Sequence, residues 1–229
     1  MNPLGLLPLF AFLSPAFPVG AFAYSHGLEQ AVEDGDVRDM ATLSAWLVDL
    51  MEHGSIRADL ILAACAARSL GPNTENEAEP RFEEVAELAL ALQPSRERRL
   101  ETAQQGRSFL ETLCASWPSP ILDAALATLP EIAYPVAFGA SLAAHSLPLR
   151  PSLAAFALQF AGNLVSAVVR LGIVGQTDGQ RVIASLAKRA RLAAGRAARA
   201  SLDDLGSAAL RSDLASIRHE TQYSRLFRS

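Results

Sequence analysis

In the most apolar part of this chain, Pro151 to Leu186, polar residues recur at a fixed rhythm. Gln159, Asn163, Ser166 and Arg170 follow one another at intervals of four, three and four. That spacing places all four on one face of a helix. The remaining faces are Leu, Val, Ala and Phe, so the helix is expected to be buried. Buried polar groups need partners or water, because leaving one unpaired costs a few kcal/mol, roughly 1–3. The stripe therefore reads either as a hydrogen-bonded seam between helices or as the wall of a wet passage. Arg170 favours the second, since an unpaired arginine is rarely buried. Gly172 and Gly175 then predict a break, followed by the polar cluster Gly175 to Gln180, after which Ile183 and Leu186 resume a helical pattern.

The same periodicity predicts helices over Asp39–Glu52, Ile56–Leu70, Phe82–Leu92, Ser95–Ser116, Pro118–Leu129, Tyr134–His145 and Ser207–Ile217. Leu4–Phe12 is a short apolar segment, extended or one helical turn long. Pro15 and Pro18 hold the next stretch extended, and a short helix is expected over Tyr24–Glu33. Gln93-Pro94-Ser95 reads as a stop followed by a new cap, and Arg96 to Arg99 as a solvated first turn. Gly71 to Pro80 is an acidic, turn-rich loop expected to be mobile. Together these predict an all-α, single-domain helical bundle of about ten helices over residues 1–229. An apolar segment (1–13) opens it and a tail (218–229) closes it.

Composition agrees. Half the residues are hydrophobic but only 7% are aromatic, and strand-forming runs are scarce. A net charge of −4 argues against a dedicated nucleic-acid binder. Cys65 and Cys114 stand far apart in separate predicted helices and read as reduced core thiols. The N-terminus lacks a basic leader and is broken by Pro3, Pro8 and Pro15, so it is not a signal peptide. No stretch of about 20 residues escapes polar or proline interruption, so no membrane span is expected. A soluble cytoplasmic protein follows.

The chemistry is sparse. Ser14, Tyr24, Ser25, His26 and Glu29 are polar groups in an apolar loop. Ser25 and His26 are adjacent and do not face each other on a helix, and no nucleophile elbow surrounds them. Gly175 to Gln180 has glutamine where a phosphate-binding loop needs lysine. His26, His53, His145 and His219 lie in separate segments, so no preassembled metal site is expected. Lys188 to Arg199 forms a basic helix face, either solvated or turned to an anionic partner. The tail is basic, and its Leu226 and Phe227 predict docking into something. Three readings stand at this point: a reaction-less adaptor, a helical enzyme built on Ser25, His26 and Glu29, and a ligand-binding regulator using Lys188 to Arg199. A sheet-based core, or a last dozen residues tucked back into the chain's own interior, would bring the adaptor reading down.

Three blocks in order carry a resemblance. Ser14-Pro15-x-x-Pro18-Val19-Gly20-Ala21-Phe22-x-Tyr24-Ser25-x-Gly27-Leu28-Glu29 resembles the N-terminal signature of the urease accessory protein UreF family. Gly175-Gln176-x-x-x-Gln180 is similar to that family's central block, and Arg225-Leu226-Phe227 to the end of its C-terminal segment. The resemblance implies an all-helical homodimer without hydrolytic chemistry. Its implied partners are UreD (also called UreH), the nickel GTPase UreG and apo-urease. It implies no resident cofactor or metal: GTP belongs to UreG, and nickel is cargo. Glu29, Gly175, Gln176, Gln180, Tyr223, Arg225, Leu226 and Phe227 are the implied partner-binding positions, with Glu29 timing GTP hydrolysis and the tail packing into UreD. The resemblance also implies a water-filled passage for nickel. Gln159, Asn163, Ser166 and Arg170 are our own expectation for its lining.

Overall fold

Helices form along the periodic apolar runs, with side-chain caps starting α-helices at Asp39 and Ser95. The computed structural model describes residues 3–71 and 79–229. In chain order these form α1 (Leu7–Phe12), α2 (Leu28–Glu33), α3 (Met40–His53), α4 (Ser55–Ser69), α5 (Phe82–Ala91) and α6 (Arg96–Ser116). There follow α7 (Pro120–Thr128), α8 (Tyr134–Ala144), α9 (Leu149–Arg170), α10 (Gln176–Ala197) and α11 (Leu210–His219). Short 3-10 turns lie at Pro3–Leu6, Ala21–Ala23 and Leu202–Asp204, and no strand occurs among the described residues. The all-α expectation of about ten helices holds.

Capping explains several boundaries. Asp39 accepts from the Thr42 amide at 2.8 Å, while its own amide donates to Thr42 Oγ1 at 3.1 Å, a reciprocal box that starts α3. Ser95 Oγ accepts from the Arg98 amide at 3.2 Å and starts α6, as the Gln93-Pro94-Ser95 signal predicts. The α9–α10 break falls at the predicted glycines. Gly172 N–H donates to Val169 O and Ile173 N–H to Val168 O, closing α9 in a Schellman turn.

The core is built on α4 and α8. Nearly all of α8 is buried, and α4 contributes Leu60 to Ala66. Gly139 permits their close crossing: a Cβ there would stand 2.4 Å from the Ala63 carbonyl. α6 packs on α8, and α9 and α10 pack on each other as a hairpin whose α9 lies against α4. Phe138 stacks on Phe156 at 4.6 Å, fixing α8 to α9. By length and composition α9 could cross a membrane. Here Leu153, Phe156, Phe160, Leu164 and Val168 are packed inside the protein.

Some expectations need correction. The helix expected from Tyr24 begins only at Leu28, because His26 (φ 58°) and Gly27 (φ 74°) turn the chain through left-handed backbone. Arg96 to Arg99 is not a solvated turn throughout: Arg98 is 4% exposed. Helical spacing carries Arg98, Glu101 and Gln105 to the inward face together. The basic stretch Lys188–Arg199 is mostly the second half of α10 rather than a separate helix. Leu9 and Phe12 of the N-terminal segment are buried, but Leu7 and Phe10 are exposed. Both cysteines are free, Cys65 buried and Cys114 half-buried. Most of the acidic loop, residues 72–78, lies outside the described residues.

Candidate functional site

The polar segment Tyr24 to Glu29 and the chain's last residues meet in one place. Two consecutive left-handed residues, His26 and Gly27, bend the chain into α2. Gly27 is also where α11 crosses: a Cβ there would lie 2.6 Å from the Ser216 amide nitrogen, so only glycine fits both the angle and the space. α11 is two-faced. Ser212, Ala215, Ser216 and His219 point inward, while Leu210, Leu214 and Ile217 are exposed at positions i, i+4 and i+7. Ser216 and Ser95 share a hydrogen bond at 2.6 Å, and Glu220 accepts from the Arg96 amide at 2.7 Å. The C-terminal unit thus covers the start of α6.

Glu29, 7% exposed, receives the tail. Its Oε1 accepts from the Leu226 amide at 2.7 Å and its Oε2 from the Phe227 amide at 3.0 Å. The buried His219 ring lies between two carboxylates, 2.6 Å from Glu97 and 3.4 Å from Glu29. Arg225 donates to Glu97 at 2.5 Å. At the end of the tail burial alternates: Leu226 and Arg228 are exposed, Phe227 and Ser229 buried. Arg228 N–H donates to Ala23 O at 2.9 Å, and Ser25 donates to Ser229 O through both its amide (2.7 Å) and its hydroxyl (2.5 Å).

Ser229 continues inward to a second cluster. Its hydroxyl donates to Glu101 Oε2 at 2.6 Å. Glu101 also takes a buried ion pair from Arg98, a hydrogen bond from Gln105 at 3.0 Å and a contact with His26 Nε2 at 2.7 Å. Burial works to raise the Glu101 carboxyl, but the charges of Arg98 and His26 and the His26 and Ser229 hydrogen bonds outweigh it, holding it at about 2. Burial, and then the Arg98 charge, lower the His26 imidazole. Asp59, facing the same space, is raised to about 7 by burial, against the pull of Arg98 and with the push of Glu101. The space these groups enclose with Tyr134, Gln159 and Asn163 is about 10 Å³, room for one water.

The polar stripe borders this cluster through Gln159 and Asn163 and is neither a buried seam nor a closed channel. Gln159, Asn163, Ser166 and Arg170 line an open groove of about 630 Å³ whose opposite wall is the Ser14 to Phe22 loop. The expectation of a fully buried helix face fails there because that loop stands off from α9. Ser166 and Arg170 are exposed. Gln180 joins the groove wall; Gly175 and Gln176 sit at the exposed start of α10 and do not line it. Arg170 finds no carboxylate there; its guanidinium sits 4.3 Å over the Phe227 ring. The groove and the tail therefore share one side chain.

The structure brings together Glu29, Arg225, Leu226 and Phe227, and links Arg170 to them. Tyr223 stands apart, fully exposed. Part of the tail expected to dock into a partner lies in this chain's own interior. Its Phe227 and Ser229 are docked there, where Glu29 accepts from the Leu226 and Phe227 amides and Glu101 from the Ser229 hydroxyl. Only Tyr223 and Leu226 among the predicted apolar anchors face out. Glu29 likewise faces inward and offers no surface to a partner. Ser25 points to Ser229, His26 to Glu101 and Glu29 to the tail amides, so the structure does not gather these three around one pocket. Glu97, Arg98, Glu101, His219 and Ser229 escaped the sequence reading. The Arg98, Glu101, Gln105 spacing was the available signal. Among the described residues no group of three or more His, Cys, Asp or Glu is arranged to hold a metal.

Comparison with known proteins bears on the whole chain. A family model described as UreF matches residues 37–187. The chain is 56% identical to the urease accessory protein UreF of Xanthobacter autotrophicus, over 99% of this chain and 92% of that one. It is 54% identical to the protein of that name from Methylobacterium radiotolerans, over 99% and 97%. With that of Methylorubrum populi the identity is 52%, over 97% and 98%.

Proposed function

The chain belongs to the urease accessory protein UreF family, and from that premise we propose that it is an adaptor in urease maturation. It joins UreD to the GTPase UreG, tunes GTP hydrolysis there, and helps deliver nickel to apo-urease in the cytoplasm. It carries no reaction of its own. One observation supports this above the others. The C-terminal unit is satisfied on its inner, polar face and unsatisfied on its outer, apolar one. Leu210, Leu214, Ile217, Tyr223 and Leu226 are all exposed on that unit, and exposed apolar side chains grouped on one element mark a docking surface.

The tail is then a platform held in place by its own chain, rather than a plug that inserts whole into UreD. Leu7, Phe10 and Phe22 are a second exposed apolar set, suited to the homodimer that the family resemblance implies. Gly175, Gln176 and Gln180 are exposed on α10, suited to the UreG side. The groove along Gln159, Asn163 and Ser166 offers amide and hydroxyl oxygens, which suit a hydrated divalent cation in transit better than a tight cage would. Arg170 counts against this reading, since it lines the same groove as an un-neutralised cation stacked on Phe227.

Charge placed on the outer face tests the adaptor. Leu214→Glu with Ile217→Glu should leave the fold unchanged and weaken capture of a UreD-class partner by at least about tenfold. Undiminished capture would remove the carrying observation. For the passage, Asn163→Leu with Ser166→Leu should slow nickel transfer in reconstituted maturation, and an unchanged rate would refute that part alone.

A further inference from the structure

We propose that Glu29 is a positioning residue for the C-terminal tail: it sets the register in which the tail is presented and acts on any partner only through it. This rests on the reading that the C-terminal unit is the docking platform. The geometry is specific. One carboxylate receives two consecutive backbone amides, Leu226 on Oε1 at 2.7 Å and Phe227 on Oε2 at 3.0 Å. The carboxylate is fixed in turn by the start of α2, whose Glu29 amide donates to Ser25 Oγ at 3.2 Å. That same Ser25 holds the Ser229 carbonyl.

Because burial alternates residue by residue over 226–229, the register decides which face each residue occupies. In the observed register Phe227 enters the interior and meets Arg170, and Leu226 stands outside. A slip of one residue would put Leu226 inside and Phe227 outside, and would move Ser229 off Glu101. Glutamate is the side chain this task needs. Glutamine offers one acceptor and sets an amide donor against the second N–H. Aspartate keeps the charge but falls one methylene short. Glu29 is buried beneath the residues it holds, so a direct touch on a nucleotide or a GTPase is excluded while the tail is docked.

Hydrogen exchange on the full-length chain reads the first half of the proposal. Glu29→Gln should speed exchange of the Leu226 and Phe227 amides by at least about tenfold while the helices of the core keep their protection. Glu29→Asp should behave like Glu29→Gln, although it retains the charge that a direct electrostatic role would use. Unchanged exchange in both variants overturns the proposal. A double-mutant cycle reads the second half, using capture of the UreG-class GTPase in the presence of its UreD-class partner. Glu29→Gln should weaken capture in the full chain and add nothing, within about twofold, once residues 226–229 are deleted. Additive losses would mean that Glu29 touches the partner directly, and would overturn the proposal. If the deletion itself leaves capture intact, the platform reading fails, and the exchange data still decide whether Glu29 holds the tail.

Discussion

Two buried glutamates, Glu29 and Glu101, both receive the end of the chain, and they are neutralised in opposite ways. Glu101 lies in the second turn of the 21-residue α6 and is met by charge: Arg98 beside it, with His26, Gln105 and Ser229 completing its shell. Glu29 lies in the first turn of the six-residue α2 and is met mostly by dipoles, the two tail amides, with His219 at 3.4 Å. The difference is one of permanence. A carboxylate locked to a buried guanidinium cannot lose its partner without stranding a charge, so Glu101 belongs to the fold. A carboxylate held by the amides of a terminal segment can exchange them for water, so Glu29 belongs to whatever the tail does.

The largest effect should come from breaking the first of the pair. Glu101→Gln leaves Arg98 buried and unpaired, which should cost about 3–5 kcal/mol in denaturant melts. Removing the proton balance gives the next largest. Asp59 is raised to about 7 in the folded protein, so its contribution is present below the ordinary carboxylate range and is lost as pH rises towards 7. Asp59→Asn should therefore gain on the parent protein between about pH 4 and pH 7, by on the order of 3 kcal/mol, and track it below pH 4. Glu101 has the opposite sign. Its lowered carboxyl stabilises the fold above the ordinary range, and that contribution is lost as pH falls towards about 2. Glu29→Gln should cost less than either, about 1–2 kcal/mol, because water can replace the tail once it leaves. A Glu29→Gln cost equal to that of Glu101→Gln would erase the distinction between the two acids.

The comparison also separates what periodicity can and cannot reveal. Helix positions followed from spacing and caps, as at Asp39, Ser95 and Gly172, because those signals are local. The polar stripe on α9 was visible for the same reason, but its surroundings were not, since the Ser14 to Phe22 loop that faces it is far away in sequence. The clasp was harder still. Glu29 and Phe227 are 198 positions apart, and the bonds between them use tail backbone amides, which every residue carries and no motif displays. Arg98 was misread because a charge run near a helix start resembles a solvated turn; only the shared face with Glu101 and Gln105 told otherwise. Family resemblance pointed to Glu29 and Arg225-Leu226-Phe227 as important without saying that they touch.

The smallest expected effect is also the one that ties the clasp to the groove. Arg170 ends the polar stripe and lies over Phe227. It is exposed, so the contact is worth only about 0.5–1 kcal/mol, and Arg170→Ala should barely shift the global melt. Its local reading should be clearer. If Phe227 is held by Glu29 from the backbone and by Arg170 from the ring, Arg170→Ala should raise exchange at the Phe227 amide by about two- to fivefold, the Boltzmann equivalent of that energy. The amides of α6 around Glu101 should not move. A tail amide indifferent to Arg170 would mean that the groove wall and the tail merely adjoin, and that Glu29 alone sets the tail's position.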